Sequence, residues 1–226
     1  VDADHSIDVL VIVPVFNAAA HLNELIDRLG TYVCDGNLLF INDGSTDASL
    51  DILRRHDKNF ISFPDNRGKG AALQTGLAVA QKQGYRSVLT LDADLQHLPE
   101  EIPRFFAADN GQRLLLGQRA RTKTAMPPAR RLSNFLTSAI VSVFSGRPCC
   151  DSQCGFRLIP VSLLAHLRLT ATGFDLESEL LFQAGALGYS VDNIPISTVY
   201  GARASAIHHL RDTARFTYHI WRRIWL

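Results

Sequence analysis

Two aspartates at spacing two, Asp92 and Asp94, follow directly on the apolar run of residues 87–91. Near the end of a strand, side chains two apart share a face, so both carboxylates can reach one point. Carboxylates that close repel each other unless a cation stands between them. Oxygen ligands of this kind favour Mg²⁺ or Mn²⁺, and those ions in turn bind phosphate oxygens. Gln96 adds a neutral oxygen two residues on. A lone D-x-D also fits a solvated turn, so its reading as a metal site depends on what other segments bring to the same place.

Two further segments bring chemistry. Asn42-Asp43-Gly44-Ser45-Thr46-Asp47 closes a second apolar run. Asp-Gly favours a tight turn, and Ser45 or Thr46 caps a helix that runs to about Arg55. The turn presents Asp43 for hydrogen bonds from a base or ribose, and Asp47 is structural at the helix start. Asn66-Arg67-Gly68-Lys69-Gly70 precedes another helix. Glycines and a cation before a helix N-terminus suit a phosphate or diphosphate, and a solvated basic loop is the plainer reading. A P-loop is excluded, because Phe63 and Gly70 stand where that motif needs glycine and a hydroxyl residue. No G-x-G-x-x-G follows the first strand, which disfavours a dinucleotide site.

The elements that must position these residues follow from periodicity. Continuous apolar runs predict strands at 7–13, 38–41, 60–63, 87–91 and 114–116. Helical spacing predicts helices at 18–29, 68–83 and from Pro99 onward, Pro99 sitting in the first turn. Such alternation argues for a mostly parallel central sheet with helices on both faces, an α/β fold. In open α/β sheets, ligands bind at the carboxyl ends of the strands, where all three polar segments fall. The second half reads as a helix at 130–144, a loop at 146–155, a strand at 156–159, a helix at 175–187, a strand at 190–194 and a last helix at 208–226. One domain is the economical reading.

Bulk properties narrow the partners. The 226 residues are 46% hydrophobic and 20% charged, with a net charge of +1. That is ordinary for a globular chain with a real core and excludes a general nucleic-acid binder. Residues 9–13 are too short for a signal peptide and stop at Pro14, and no apolar run approaches a membrane span. The four cysteines, Cys34, Cys149, Cys150 and Cys154, read as reduced thiols in an intracellular setting. A zinc site at the last three lacks a second ligand pair at usual spacing.

The motifs together resemble the family 2 glycosyltransferases of the GT-A (nucleotide-diphospho-sugar transferase) fold. Within them the chain is similar to the dolichyl-phosphate mannose synthase and polyprenyl-phosphate glycosyltransferase group. The matching pieces are P-V-F-N at 14–17, N-D-G-S-T-D at 42–47, N-R-G-K-G-A-A at 66–72 and L-D-A-D-L-Q-H at 91–97. They continue with G-Q-R at 117–119, D-S-Q-C-G-F-R at 151–157, G-F-D-L-E-S-E-L at 173–180 and V-Y-G followed by Ser205. The resemblance implies that Pro14, Phe16, Asn17 and Asp43 surround the nucleotide, with Lys69 and Ala93 on the donor side. It implies that Asp92, Asp94 and Gln96 hold the metal, and that Arg119, Arg131 and Arg203 face donor or acceptor phosphates. Asp175 and Glu177 fall in the acceptor-side motif. Two positions depart from many relatives: Ala18 follows Asn17, and Ala206 follows Ser205.

The implied reaction is an inverting displacement on a nucleotide-sugar of the GDP-mannose or UDP-glucose class, with Mg²⁺ or Mn²⁺ countering charge on the leaving diphosphate. Two acceptors stay open. A polyprenyl or dolichyl phosphate is already an anion and needs arginines, such as those of the Arg119–Arg131 segment, rather than a base. A sugar hydroxyl needs a base, which Asp175 or Glu177 would supply. A nucleotide-sugar binding protein without turnover is the rival from another class. The final helix places Ala214, Tyr218, Trp221 and Trp225 on one stripe with Arg211, Arg215, Arg222 and Arg223 beside it. That pattern suits a headgroup interface as well as a helix docked on the sheet. The expected layout is therefore a transferase domain over 1–207 and an amphipathic helix over 208–226 making peripheral contact with the cytoplasmic face of a membrane.

Overall fold

The computed structural model describes residues 8–119, 138, 142, 151–152, 154–173 and 175–197. Among the described residues, seven strands form one sheet in the order β3-β2-β1-β4-β6-β5-β7. They are β1 (Val9–Val15), β2 (Leu38–Asp43), β3 (Phe60–Phe63), β4 (Ser87–Thr90), β5 (Leu114–Arg119), β6 (Arg157–Pro160) and β7 (Val191–Ile196). All neighbours pair in parallel except β6, which runs against both β4 and β5. The expectation of a mostly parallel sheet holds, with one reversed strand that periodicity does not reveal.

Along β1, Val9, Val11, Ile12 and Val13 are fully buried and Leu10 nearly so. Successive strand residues face opposite sides, so both faces of the sheet centre are covered. The β-branched run Val9–Val13 is what such a strand requires. β3 is an edge strand with three partly buried residues and one exposed, Ser62.

The helices bounded within the described residues are α1 (Ala19–Leu29), α2 (Ser49–Arg55), α3 (Lys69–Gln83), α4 (Ile102–Ala108), α5 (Val161–Leu164) and α6 (Leu176–Ala186). In α1 the buried residues are Leu22, Leu25, Ile26 and Leu29, the apolar stripe the spacing predicts. α3 turns Ala72, Leu73, Gly76, Leu77 and Ala80 inward, and these mostly small residues let it lie close on β1 and β2. Pro99 opens a short 3₁₀ turn, Pro99–Glu101, before α4 proper.

One capping expectation needs correction. α2 begins at Ser49, not directly after Ser45 or Thr46, and neither hydroxyl caps it. Asp47 does that work: its Oδ1 accepts from Ser49 N at 2.9 Å, and its Oδ2 accepts from Ala19 N at 3.0 Å, at the start of α1. The intervening residues are spent on the turn itself, where Gly44 has φ +64°.

Among the described residues no helix is long and apolar enough to cross a membrane. The expected helices at 130–144 and 208–226 lie outside the described residues, save that Ser138 and Ser142 are helical. Arg131 and Arg203 lie outside them as well.

Candidate functional site

Six strands point one way, so their carboxyl ends share one edge of the sheet. Because β6 is reversed, the described residues before it, 151–152 and 154–156, arrive at that same edge. The strand order changes direction between β1 and β4, which leaves a crevice beyond their ends. Asp92 stands there, two residues beyond β4.

The ends of β1 and β2 are sewn together. Asn17 adopts φ 50°, a conformation asparagine tolerates better than most residues. Its Oδ1 accepts from Thr46 N at 2.8 Å and from Asp47 N at 3.3 Å, while its own N–H donates to Ser45 Oγ. Asp43 is buried, and its two oxygens accept from Arg67 N at 2.7 Å and Gly68 N at 3.0 Å. Its carboxylate thus fastens the turn before α3. Phe16 is 50% exposed beside this junction, a flat apolar surface on the rim, and Pro14 is half-buried within β1.

The glycines before α3 serve a close approach. A Cβ on Gly68, at φ +95°, would stand 2.4 Å from the Thr172 carbonyl oxygen. One on Gly70 would stand 2.5 Å from the Thr172 carbonyl carbon. The backbone of 172–173 lies against them, and Ala71 N donates to Thr172 O. The amides of 67, 68 and 71 therefore already have protein acceptors, and the chemistry of this segment falls to the Lys69 side chain. The approaching segment is clamped from α6: Glu179 accepts from Thr170 N and Ala171 N, and Gln183 pairs with the backbone of Arg168.

Lys69 Nζ lies 2.5 Å from Asp92 Oδ1 and 3.0 Å from Glu177 Oε1. These three residues come from the start of α3, the end of β4 and the first turn of α6. Burial opposes the ammonium, but Asp92 and Glu177 outweigh it and hold Lys69 above the usual lysine range. Desolvation likewise works to raise the Asp92 carboxyl, and Lys69 overrides it, so the group stays below the usual carboxylate range. Asp92 is set from the other side by Gly155, where a Cβ would stand 2.7 Å from Asp92 Oδ2. Thr90 Oγ1 donates to Gly155 O at 2.8 Å and fixes that approach.

The remaining residues of the fourth motif differ in exposure. Asp94 is exposed, and its Oδ1 accepts from Gln96 N at 3.0 Å across a turn in which Leu95 has φ 57°. Asp94 and Gln96 are thereby held close together, while Ala93 is buried. His97 is buried, and burial holds its imidazole below the usual histidine range despite Asp92 and Asp94. Its Nε2 is 3.6 Å from Cys154 Sγ. Burial pushes the Cys154 thiol up to about 12. Cys34 and Cys154 are free thiols. Among the described residues, no group of three or more His, Cys, Asp or Glu is placed to hold a metal ion.

Arg119 ends β5 and is buried. Its Nε and Nη2 donate to the two oxygens of Asp151 at 2.6 and 2.7 Å. Asp175, just before α6, accepts from Gly173 N at 3.2 Å. Reading by motif missed the part played by Arg157. This arginine is 1% exposed and donates to the carbonyls of Cys154, Ser152 and Glu177. The available signal was a single charge inside the apolar run Phe156-Arg157-Leu158-Ile159, since a buried guanidinium must find acceptors.

Comparisons with known proteins bear on the family and the fold. Residues 10–167 match the model of the family described as glycosyl transferase family 2. A UDP-N-acetylglucosamine–dolichyl-phosphate N-acetylglucosaminyltransferase of Methanococcus voltae is 26% identical, over 85% of this chain and 86% of its own. An undecaprenyl-phosphate mannosyltransferase of Micrococcus luteus is 25% identical, over 84% of this chain and 83% of its own. The crystal structure of glucosyl-3-phosphoglycerate synthase from Mycobacterium tuberculosis, in complex with Mn²⁺, UDP and phosphoglyceric acid, superposes with a TM-score of 0.75. It covers 96% of this chain and 78% of that one at 19% identity, and so establishes a shared fold, the GT-A fold. With the family model spanning most of the sheet and its rim, this chain belongs to glycosyl transferase family 2.

Proposed function

We propose that the protein transfers a hexose from a nucleotide-sugar to a polyprenyl or dolichyl phosphate, with inversion at the anomeric carbon and with Mg²⁺ or Mn²⁺ at Asp92, Asp94 and Gln96. The observation that carries this reading is the Lys69 bridge. Asp92, on the donor side, and Glu177, in the acceptor-side motif, share one ammonium, so both ends of the reaction meet in one crevice. The relatives named for polyprenyl-type phosphates, similar along most of their length, support the acceptor class.

The donor set fits a hard divalent ion. Two carboxylates and an amide oxygen are a small complement, which suits an ion that completes its shell with phosphate oxygens. When bound, such an ion would supply positive charge to a departing diphosphate. Phe16 offers a flat surface for a base. On this reading Arg131 and the later Arg203 would position phosphates, and Arg119, forked onto Asp151, would hold the start of that basic segment. Asp175 stands near the acceptor approach.

The choice of a phosphate acceptor over a sugar hydroxyl has its own support. Glu177 Oε1 is engaged by an ammonium rather than left open to take a proton. A phosphate nucleophile needs no such transfer. Replacing Glu177 with Gln should therefore lower kcat by less than about tenfold, because general-base loss costs roughly 10²–10⁴-fold only where a base is required. The assay is lipid-linked product formation over a panel of nucleotide-sugars with undecaprenyl and dolichyl phosphate. Abolished turnover with intact donor binding would assign a hydroxyl acceptor instead.

The acceptor chemistry also implies a membrane surface. Trp221, Trp225 and the arginines of 208–226 would hold the domain over 1–207 at the cytoplasmic face. The full chain should float with anionic liposomes, and a chain ending at Ala206 should not. Equal flotation of the two would remove the membrane role.

A further inference from the structure

We infer that Lys69 is a resident counter-cation that keeps the Asp92 site from holding a free divalent ion, so that the ion enters with the nucleotide diphosphate. This inference rests on the metal reading of Asp92 given above. Its basis is the bridge itself, in which an ammonium lies 2.5 Å from Asp92 Oδ1, the carboxylate expected to bind the ion. The ammonium is not free to leave with ease. Its side chain is 15% exposed, and Glu177 anchors it from the other side at 3.0 Å. Both Asp92 oxygens also lie against Gly155, where a Cβ would stand 2.7 Å from Oδ2 and 2.9 Å from Oδ1.

A divalent ion arriving alone meets a carboxylate already neutralised by a like charge. An ion arriving with a diphosphate meets a different balance. The added phosphate charges pair with both the ion and the ammonium, so the repulsion between the two cations is offset. Lys69 acts on the ion through Asp92 and the local field and is a positioning residue. It also links the two sides of the site, because any shift of Lys69 off Asp92 changes its hold on Glu177.

The sign of this effect separates it from a structural one. Damage to the site would weaken cation binding, whereas loss of a compensating charge strengthens it. Even with the screening of bulk water, a unit charge a few ångströms from a divalent ion changes its affinity by roughly tenfold. The test is Mn²⁺ binding followed by the electron paramagnetic resonance signal of free Mn²⁺, on the full chain, with and without GDP or UDP. Lys69→Met is expected to bind Mn²⁺ alone at least tenfold more tightly than wild type, and Lys69→Arg to bind as wild type does. In the variant, the gain in Mn²⁺ affinity from added nucleotide should shrink by a similar factor. Lys69→Gln serves the same comparison where the methionine variant does not fold. Unchanged or weaker Mn²⁺ affinity in a folded neutral variant overturns the inference and leaves the proposed function standing. A wild-type chain that binds no Mn²⁺ even with nucleotide overturns the metal reading and this inference with it.

Discussion

Replacing Asp92 with asparagine should lower kcat/KM for sugar transfer about a thousandfold, the upper end of what removing one preorganised electrostatic group costs. The substitution keeps shape and removes charge. Shape matters here because Asp92 packs closely on Gly155, where even a Cβ would stand 2.7 Å from its Oδ2. Charge matters because Asp92 is the carboxylate nearest to Lys69 and stands at the crevice between β1 and β4. The variant should fold, since Lys69 retains Glu177 as a partner and the introduced amide oxygen can still accept a hydrogen bond. Steady-state kinetics with thermal denaturation alongside will check both statements. A loss below about tenfold in a folded variant would show that Asp92 is no part of the reacting machinery.

Arg157→Met carries the largest expected effect on stability. The guanidinium is buried and is shared among the carbonyls of Cys154, Ser152 and Glu177. A methionine fills much of the volume and satisfies none of those acceptors. Leaving a buried acceptor unpaired costs about 1–3 kcal/mol, so the sum should approach about 4 kcal/mol, a large share of the roughly 5–15 kcal/mol that holds a typical domain. The urea midpoint should fall sharply. A shift worth less than about 1 kcal/mol would mean that water or neighbouring groups replace the arginine. The same three bonds tie Ser152 and Cys154, and with them Gly155, to the first turn of α6. A partly folded Arg157→Lys variant should accordingly lose activity faster than stability, because Asp92 and Glu177 are both set through that tie.

Much of the architecture follows from local pattern. The apolar run of β1, short and β-branched, reads as a strand covered on both faces, and the stripe of α1 as a one-sided helix. Their alternation along the first half implied a parallel sheet with polar residues at its carboxyl edge, which places Asn17, Asp43 and Asp92 on one rim without any knowledge of distances. Local pattern could not give the strand order or the reversal of β6. Those depend on which hydrophobic faces find each other across long stretches of chain, and no short window records that. The reversal is decisive, since it brings 154–157 to the rim and sets Gly155 against Asp92.

Side-chain partnerships lay equally beyond the sequence. Asp43 and Arg119 carry charges suited to a ligand, yet in the fold Asp43 fastens the turn before α3 and Arg119 forks onto Asp151. The glycines at 68 and 70 look like an anion cradle in sequence, and in space they admit the backbone of Thr172 and Gly173. By itself the sequence determined that Asp92 and Asp94 stand at a strand end, because spacing two and an apolar run are local facts. Only the tertiary structure decided that Lys69 bridges Asp92 to Glu177. An ion pair between residues 108 positions apart forms only after the sheet and helices have brought three separate elements to one crevice.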